Sequence, residues 1–211
     1  MFGLGSIISG ISSVLSVVAT RLMPAIGKII GPILEPFAKA IEAFMKSLGL
    51  LGNEERVEEL GDRALQAEAD ELHPIKVESF DSHEKYLEAL KEYELDEEKS
   101  ARIDPTDKMH RAIEILMGLA IETYGQPMMR FGEIVVSDPQ FYSKPGRLSE
   151  FGNVLRTDRE TFDDIVNYIE GKGASTEKND AAFNALVKIE KAVEPTVNDA
   201  DVWRTVSGMK K

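Results

Sequence analysis

The chain has 211 residues, no cysteine, and 25 Lys+Arg against 37 Asp+Glu, a formal net charge of −12. Zero Cys excludes disulfides, thiolate metal sites, iron–sulfur clusters and cysteine nucleophiles. The acidic balance argues against general nucleic-acid binding, which needs a basic surface facing phosphates, while 43% hydrophobic residues is enough for a core.

The charge is unevenly placed. Residues 1–52 hold four basic groups (Arg21, Lys28, Lys39, Lys46) and two acidic ones (Glu35, Glu42), a balance of +2, so −14 falls on residues 53–211. Such asymmetry predicts two parts with different partners: 1–52, an amphipathic segment for membrane or subunit packing, and 53–211, an acidic helical body. Gly49-Leu50-Leu51-Gly52-Asn53 marks the boundary as a helix stop.

The first 20 residues carry no charge; eleven are apolar and nine are Gly, Ser or Thr. Leu4, Ile8, Ile11, Leu15 and Val18 recur at helical steps and define one face. Gly5, Ser9, Ser12 and Ser16 define the other, where small side chains admit a second helix backbone and hydroxyls bond the carbonyl four residues back. The stripe continues through Leu22, Ile26, Ile29, Ile33, Phe37, Ile41, Phe44 and Leu48, opposite Arg21, Lys28, Glu35 and Glu42 at seven-residue steps. Gly27 and Gly31 form a small-xxx-small pair. Pro24, Pro32 and Pro36 each interrupt a helix, so two or three helical pieces are expected. A Sec signal peptide fits badly, with no basic stretch before the apolar run and no A-x-A-like site after it. A transmembrane anchor, an interfacial helix and a hairpin packed on the chain's own body all fit the amphipathic pattern.

The body reads as helical. Val57, Leu60, Ala64 and Ala67 make one stripe, with a break expected at Gly61. Asp81 with Glu84 and Thr157 with Glu160 look like capping boxes. Asp104-Pro105 starts a helix whose buried face is Met109, Ala112, Ile113, Leu116, Leu119, Ala120 and Tyr124, ended by Gly125 and Pro127. Ile134-Val135-Val136 fits a short irregular β segment or a helical turn. Asp138-Pro139 opens a turn or short helix, Lys144-Pro145-Gly146 a loop. Helices follow with Phe162, Ile165, Val166 and Ile169, then over 177–193, then with Val202, Trp203 and Val206. The predicted fold class is all-α: kinked amphipathic N-terminal helices followed by a small acidic helical domain.

No catalytic, cofactor or metal motif emerges. His73, His83 and His110 lack ligand spacing, and no H-E-x-x-H, P-loop or G-x-S-x-G occurs. His110 reads as an exposed His of a capping region. Asp96, Glu97, Glu98, Asp163 and Asp164 read as solvated faces. Glu114 and Glu122 flank the central helix and become acid/base candidates only if buried. Trp203 reads as a core or docking anchor. No catalytic residue, metal or cofactor is expected.

The opening Met1-Phe2-Gly3-Leu4-Gly5-Ser6-Ile7-Ile8-Ser9-Gly10-Ile11-Ser12-Ser13-Val14-Leu15 resembles the N-termini of bacteriophage internal and minor virion proteins, and those of secreted pore-forming effectors. The likeness covers about the first 50 residues and is compositional. It implies Gly/Ser-rich amphipathic helices that enter a membrane or an oligomeric channel. The expectation is a non-enzymatic assembly protein of a phage particle or related injection machine; the alternative is a membrane-permeabilising toxin or effector. Contacts are expected from Leu4, Ile8, Ile11, Leu15, Val18, Ile29, Ile33, Phe37, Ile41 and Phe44, with close packing at Gly5, Ser9, Ser12, Ser16, Gly27 and Gly31. Expected partners are further copies, neighbouring structural subunits or lipid, with no nucleic acid; the expected location is a virion, or secreted or membrane-associated.

Overall fold

A computed structural model describes residues 14, 16–172 and 175–210, and among them the fold is all-α. Twelve α-helices follow a π-helical turn, Val18–Leu22. They are α1 (Met23–Ile26), α2 (Leu34–Leu48), α3 (Val57–Glu68), α4 (His83–Glu92), α5 (Glu97–Ser100) and α6 (Pro105–Tyr124). Then come α7 (Gln126–Ser137), α8 (Pro139–Tyr142), α9 (Arg147–Thr157), α10 (Arg159–Ile169), α11 (Thr176–Val193) and α12 (Asp199–Met209).

The prolines explain the N-terminal breaks. Pro24 has no N–H for the Thr20 carbonyl and its ring crowds that group, so the turn before it widens, with the Met23 N–H bonding Val18 O. Pro32 opens a 3₁₀ turn, Gly31–Ile33. Pro36 does not interrupt α2; it lies in the first turn, where a missing N–H costs nothing. The Ile134-Val135-Val136 run is helical, inside α7, where Met128, Phe131, Gly132 and Val135 already form one buried stripe.

Two pairings dominate the packing, α3 on α6 and α2 on α9, with α2 also against α6. The α10–α11–α12 layer closes the far side through α7 and α9. Phe131 on α7 centres an aromatic cluster, its ring centroid 5.9 Å from Phe44, 5.0 Å from Phe151 and 5.0 Å from Phe162. A single core therefore runs from Val18 to Val206. The charge boundary at residue 52 is not a packing boundary. Glu42 accepts from the Val57 N–H at 3.0 Å, and Lys46 Nζ donates to the Asn53 carbonyl at 2.8 Å, tying α2 across it.

Glycines allow the closest crossings. A Cβ on Gly61 would lie 1.8 Å from the Lys108 carbonyl oxygen, so α3 and α6 touch backbone to backbone. That contact explains why Gly61 lies within α3 instead of breaking it. On α9, a Cβ at Gly152 would meet Ser47 and Phe44 of α2. Two caps sit one residue from their expected places. Ser82, not Asp81, caps α4 by accepting from the Lys85 N–H, while Asp81 pairs with Lys85 Nζ at 2.8 Å. Asp158, not Thr157, caps α10, because the Thr157 hydroxyl is turned back onto the Asn153 carbonyl at the end of α9. Asp104 caps α6 as expected.

Candidate functional site

The part of the N-terminal segment that was expected to face a partner forms a strap, residues 16–29, across the body. Val18, Leu22 and Ile26 are almost wholly buried, and Ile29 is 5% exposed. Their helical spacing turns one edge of the strap inward, onto α6 and α7. Leu22 packs beside Gly132 on α7, where an added Cβ would lie 2.7 Å from the Met117 methyl of α6 and 3.4 Å from a δ-carbon of Leu22. Two side chains tie the strap to the body among the described residues. Arg21 Nη1 meets Glu133 at 3.3 Å and lies 3.9 Å from the Met129 sulfur. His110 Nε2 donates to the Ile29 carbonyl at 2.9 Å, which fixes the proton on that nitrogen. His110 is thus a half-buried tether to the strap, not an exposed capping residue.

This placement corrects much of the expected contact face. Val18, Ile29, Phe37, Ile41 and Phe44 lie in the chain's own core, so in this fold their apolar surface is already covered. Amphipathicity requires a covered face but does not say by what. Ile33 is half-buried against the same core. The close-packing assignment also changes. Gly27 and Gly31 belong to turns: a Cβ on Gly27 would meet only its own turn's Met23 carbonyl, and Gly31 (φ +65) faces open space. Ser16 is exposed, and its carbonyl accepts from the Thr20 hydroxyl at 2.5 Å. The close approaches instead fall at Gly61, Gly118, Gly132 and Gly152. Leu4, Ile8, Ile11, Leu15, Gly5, Ser9 and Ser12 lie outside the described residues.

Beyond the strap, Ile30-Gly31-Pro32 form a protruding turn. Ile30 is extended (φ −131, ψ 169) and 62% exposed, one of the few large apolar side chains left in water.

Polar chemistry is concentrated in buried networks that join helices. At the α3–α6 crossing, Lys108 Nζ lies 2.8 Å from Asp62, both side chains under a tenth exposed. Ser100 donates to Asp62 as well, and Gln66 Nε2 does so at 2.9 Å. Burial alone would raise the Asp62 carboxyl; bonds from Lys108, Ser100 and Gln66 outweigh it and hold the group below its ordinary value. Arg147 forks onto Glu190 with bonds of 2.8 and 2.5 Å, donates to the Phe141 carbonyl, and lies 3.7 Å over the Phe141 ring. Arg130 binds Glu170, Asp163 and Asn167. Burial opposes ionisation of Glu170, but Arg130 and Lys172 hold its carboxyl below the usual range. Arg111 links Glu68 to Glu114, and Tyr86 donates to Glu68. Burial, with the Glu68 charge adding to it, pushes the Tyr86 phenol up.

One network sits beside open space. His83, 1% exposed, donates from Nδ1 to Glu122 at 2.6 Å, and its backbone N–H reaches the same oxygen at 2.9 Å. Glu122 also lines a cavity of about 500 Å³ with Ser82, Lys91 and Thr123. The imidazole's other nitrogen is directed at α6: a Cβ on Gly118 would lie 2.5 Å from it. The ring thus fastens α4 to α6 and does not reach into the cavity. Glu114 and Glu122 are both partly buried, each engaged by a basic side chain. No group of three metal-binding side chains occurs among the described residues. No described helix is long and apolar enough to cross a membrane. Trp203 is 58% exposed, stacked edge-on to Phe183 at 5.3 Å, and so is not a core residue.

No protein-family model, no curated protein and no solved structure matches the chain.

Proposed function

We propose that this chain is a non-enzymatic assembly protein of a phage particle or related injection machine, in which the N-terminal stripe of Leu4, Ile8, Ile11 and Leu15 makes the contact with further copies or neighbouring subunits. The carrying observation is a contrast along the chain. The first 20 residues hold no charged side chain and alternate apolar with Gly/Ser positions, whereas Val14, Val17, Val18, Leu22 and Ile26 already pack on the body's own core. The uncharged apolar stripe of Leu4, Ile8, Ile11 and Leu15 suits an apolar partner outside the chain. The Gly/Ser-rich opening and its likeness to phage minor virion proteins support the choice of setting. In the closed chain, residues 18–48 hold that segment to the body. The driving force is burial of those side chains, each worth roughly 1.5–3 kcal/mol before ordering costs.

The test is size-exclusion chromatography with light scattering. The full chain is expected above its monomer mass of 23.4 kDa. Ile8→Asp with Ile11→Asp is expected to return it to monomer without loss of helicity. A full chain that stays monomeric at tens of micromolar overturns the reading. Dye release from anionic vesicles that disappears in the same variant would transfer the segment to the pore-forming reading.

A further inference from the structure

We propose that the strap is exchanged between copies: residues 16–29 of one chain leave their own slot and fill the same slot on a second copy, which returns its strap in kind. The inference rests on the assembly reading and names its partner, a second copy of this chain.

Three features of the strap support it. The first is where its binding surface lies. Leu22 and Ile26 are buried on the elements that pack against α6 and α7, and buried Ile29 is held to α6 by His110. A second copy offers an identical slot, so every closed contact is remade in the exchanged form. A reciprocal swap of this kind closes a two-fold dimer with no new surface required.

The second is the hinge. The strap joins α2 through Ile30-Gly31-Pro32, where Ile30 is extended and largely in water, and nothing lies within 4 Å of the position a Gly31 Cβ would take. Gly31 has φ +65, a fold-back that L residues resist. It also precedes a proline, and a pre-proline residue is pushed towards extended backbone. The returning turn therefore competes with a straightened one, in which the strap points away from its own body. Straightening disturbs no packed side chain, because the hinge has none.

The third is the weakness of the polar tethers. Arg21 and Glu133 are 54% and 38% exposed, and pairs of that exposure contribute little. Among the described residues, the other polar tether is a hydrogen bond from His110 to a backbone carbonyl. Its release costs little, and the second copy's His110 restores it. The widened turn at Val18–Leu22 adds a flaw in the strap's helical ladder, which makes it a poor unit to stand alone and a good one to be held by a slot.

The absence of cysteine from the chain makes the test clean. Two differently tagged full-length copies are co-expressed, one carrying Arg21→Cys and the other Glu133→Cys, and treated with a short bis-maleimide. Arg21 is exposed and Glu133 half-buried, and their pair contributes little, so the fold is expected to survive both substitutions. The expected product is a cross-linked dimer carrying both tags, its yield unchanged when the sample is diluted just before the reagent is added. A yield that falls with dilution reports chance collision and overturns the inference. A single chain bearing both substitutions supplies the complement. If light scattering finds an oligomer but that chain cross-links only within itself, exchange is overturned and the assembly reading stands. If the protein is a monomer with the same internal cross-link, both are overturned. As a second variant, deletion of Ile30 and Gly31 removes the fold-back, and the product is expected to be a dimer with no monomer remaining. A folded monomer from that deletion overturns the hinge.

Discussion

Lys108 shows how little of a residue's role its type conveys. It falls in the first turn of α6 among charged neighbours, a setting in which lysine is mostly exposed. In the fold it is buried, its ammonium on Asp62 and Ser100 and its carbonyl against Gly61. No linear signal pairs positions 62 and 108, because the pair exists only where two helices cross. Removing one member of a buried pair strands the other charge, which costs about 3–5 kcal/mol, whereas removing both is close to neutral. Lys108→Met is therefore expected to destabilise by about that amount, and Asp62→Leu with Lys108→Met to recover most of the loss. Urea unfolding of the two single variants and the double measures it. A double variant whose cost equals the sum of the two single costs would mean that the pair is not coupled. His110 is a similar case: its helix and neighbours were readable, but its partner, the Ile29 carbonyl, lies 81 residues away.

At the scale of elements, most of the helices were legible, since apolar residues at steps of three and four together with Pro, Asp and Gly at the ends identify them. Caps slipped by one residue where two oxygens competed, as with Asp81 and Ser82. Gly61 was read as a breaker because intrinsic preference is all that a sequence exposes. The two views predict opposite signs. Helix propensity alone says that Gly61→Ala stabilises by about 1 kcal/mol. A Cβ 1.8 Å from a backbone oxygen forces α3 and α6 apart, and overpacking against rigid backbone sits at the upper end of the about 1–3 kcal/mol that overpacking costs. A lower thermal midpoint for Gly61→Ala is therefore expected, with a smaller loss for Gly152→Ala, whose nearest neighbour is the Ser47 hydroxyl rather than backbone. An unchanged or raised midpoint for Gly61→Ala would refute the backbone contact between α3 and α6.

For the molecule as a whole, charge and packing divide the chain in different places. The charge changes sign near residue 52, yet the core runs through that point without a break. Sequence periodicity showed that residues 18–48 needed an apolar partner; only the fold identifies the partner as α6, α7 and α9 of the same chain. The candidate site therefore contracts to the strap, its hinge and the uncharged residues before it. The charge on the body still bears on assembly. Bodies carrying −14 repel one another, and salt screens that repulsion over about 8–10 Å at physiological strength. Self-association is accordingly expected to strengthen as salt rises from about 10 mM to about 150 mM. Light scattering across that range checks it, and dissociation with rising salt would instead point to ion pairs as the assembling contact.

The position of the chain's one tryptophan bears on how unfolding is observed. Trp203 lies on α12, mostly in water and edge-on to Phe183 of α11. Its emission reports whether α11 and α12 remain together, and it is remote in sequence from the strap. Fluorescence and far-ultraviolet circular dichroism therefore watch different parts of one core. Their melting curves coincide only if that core unfolds in one step, and a fluorescence signal that is lost first identifies the C-terminal pair of helices as the earliest to open.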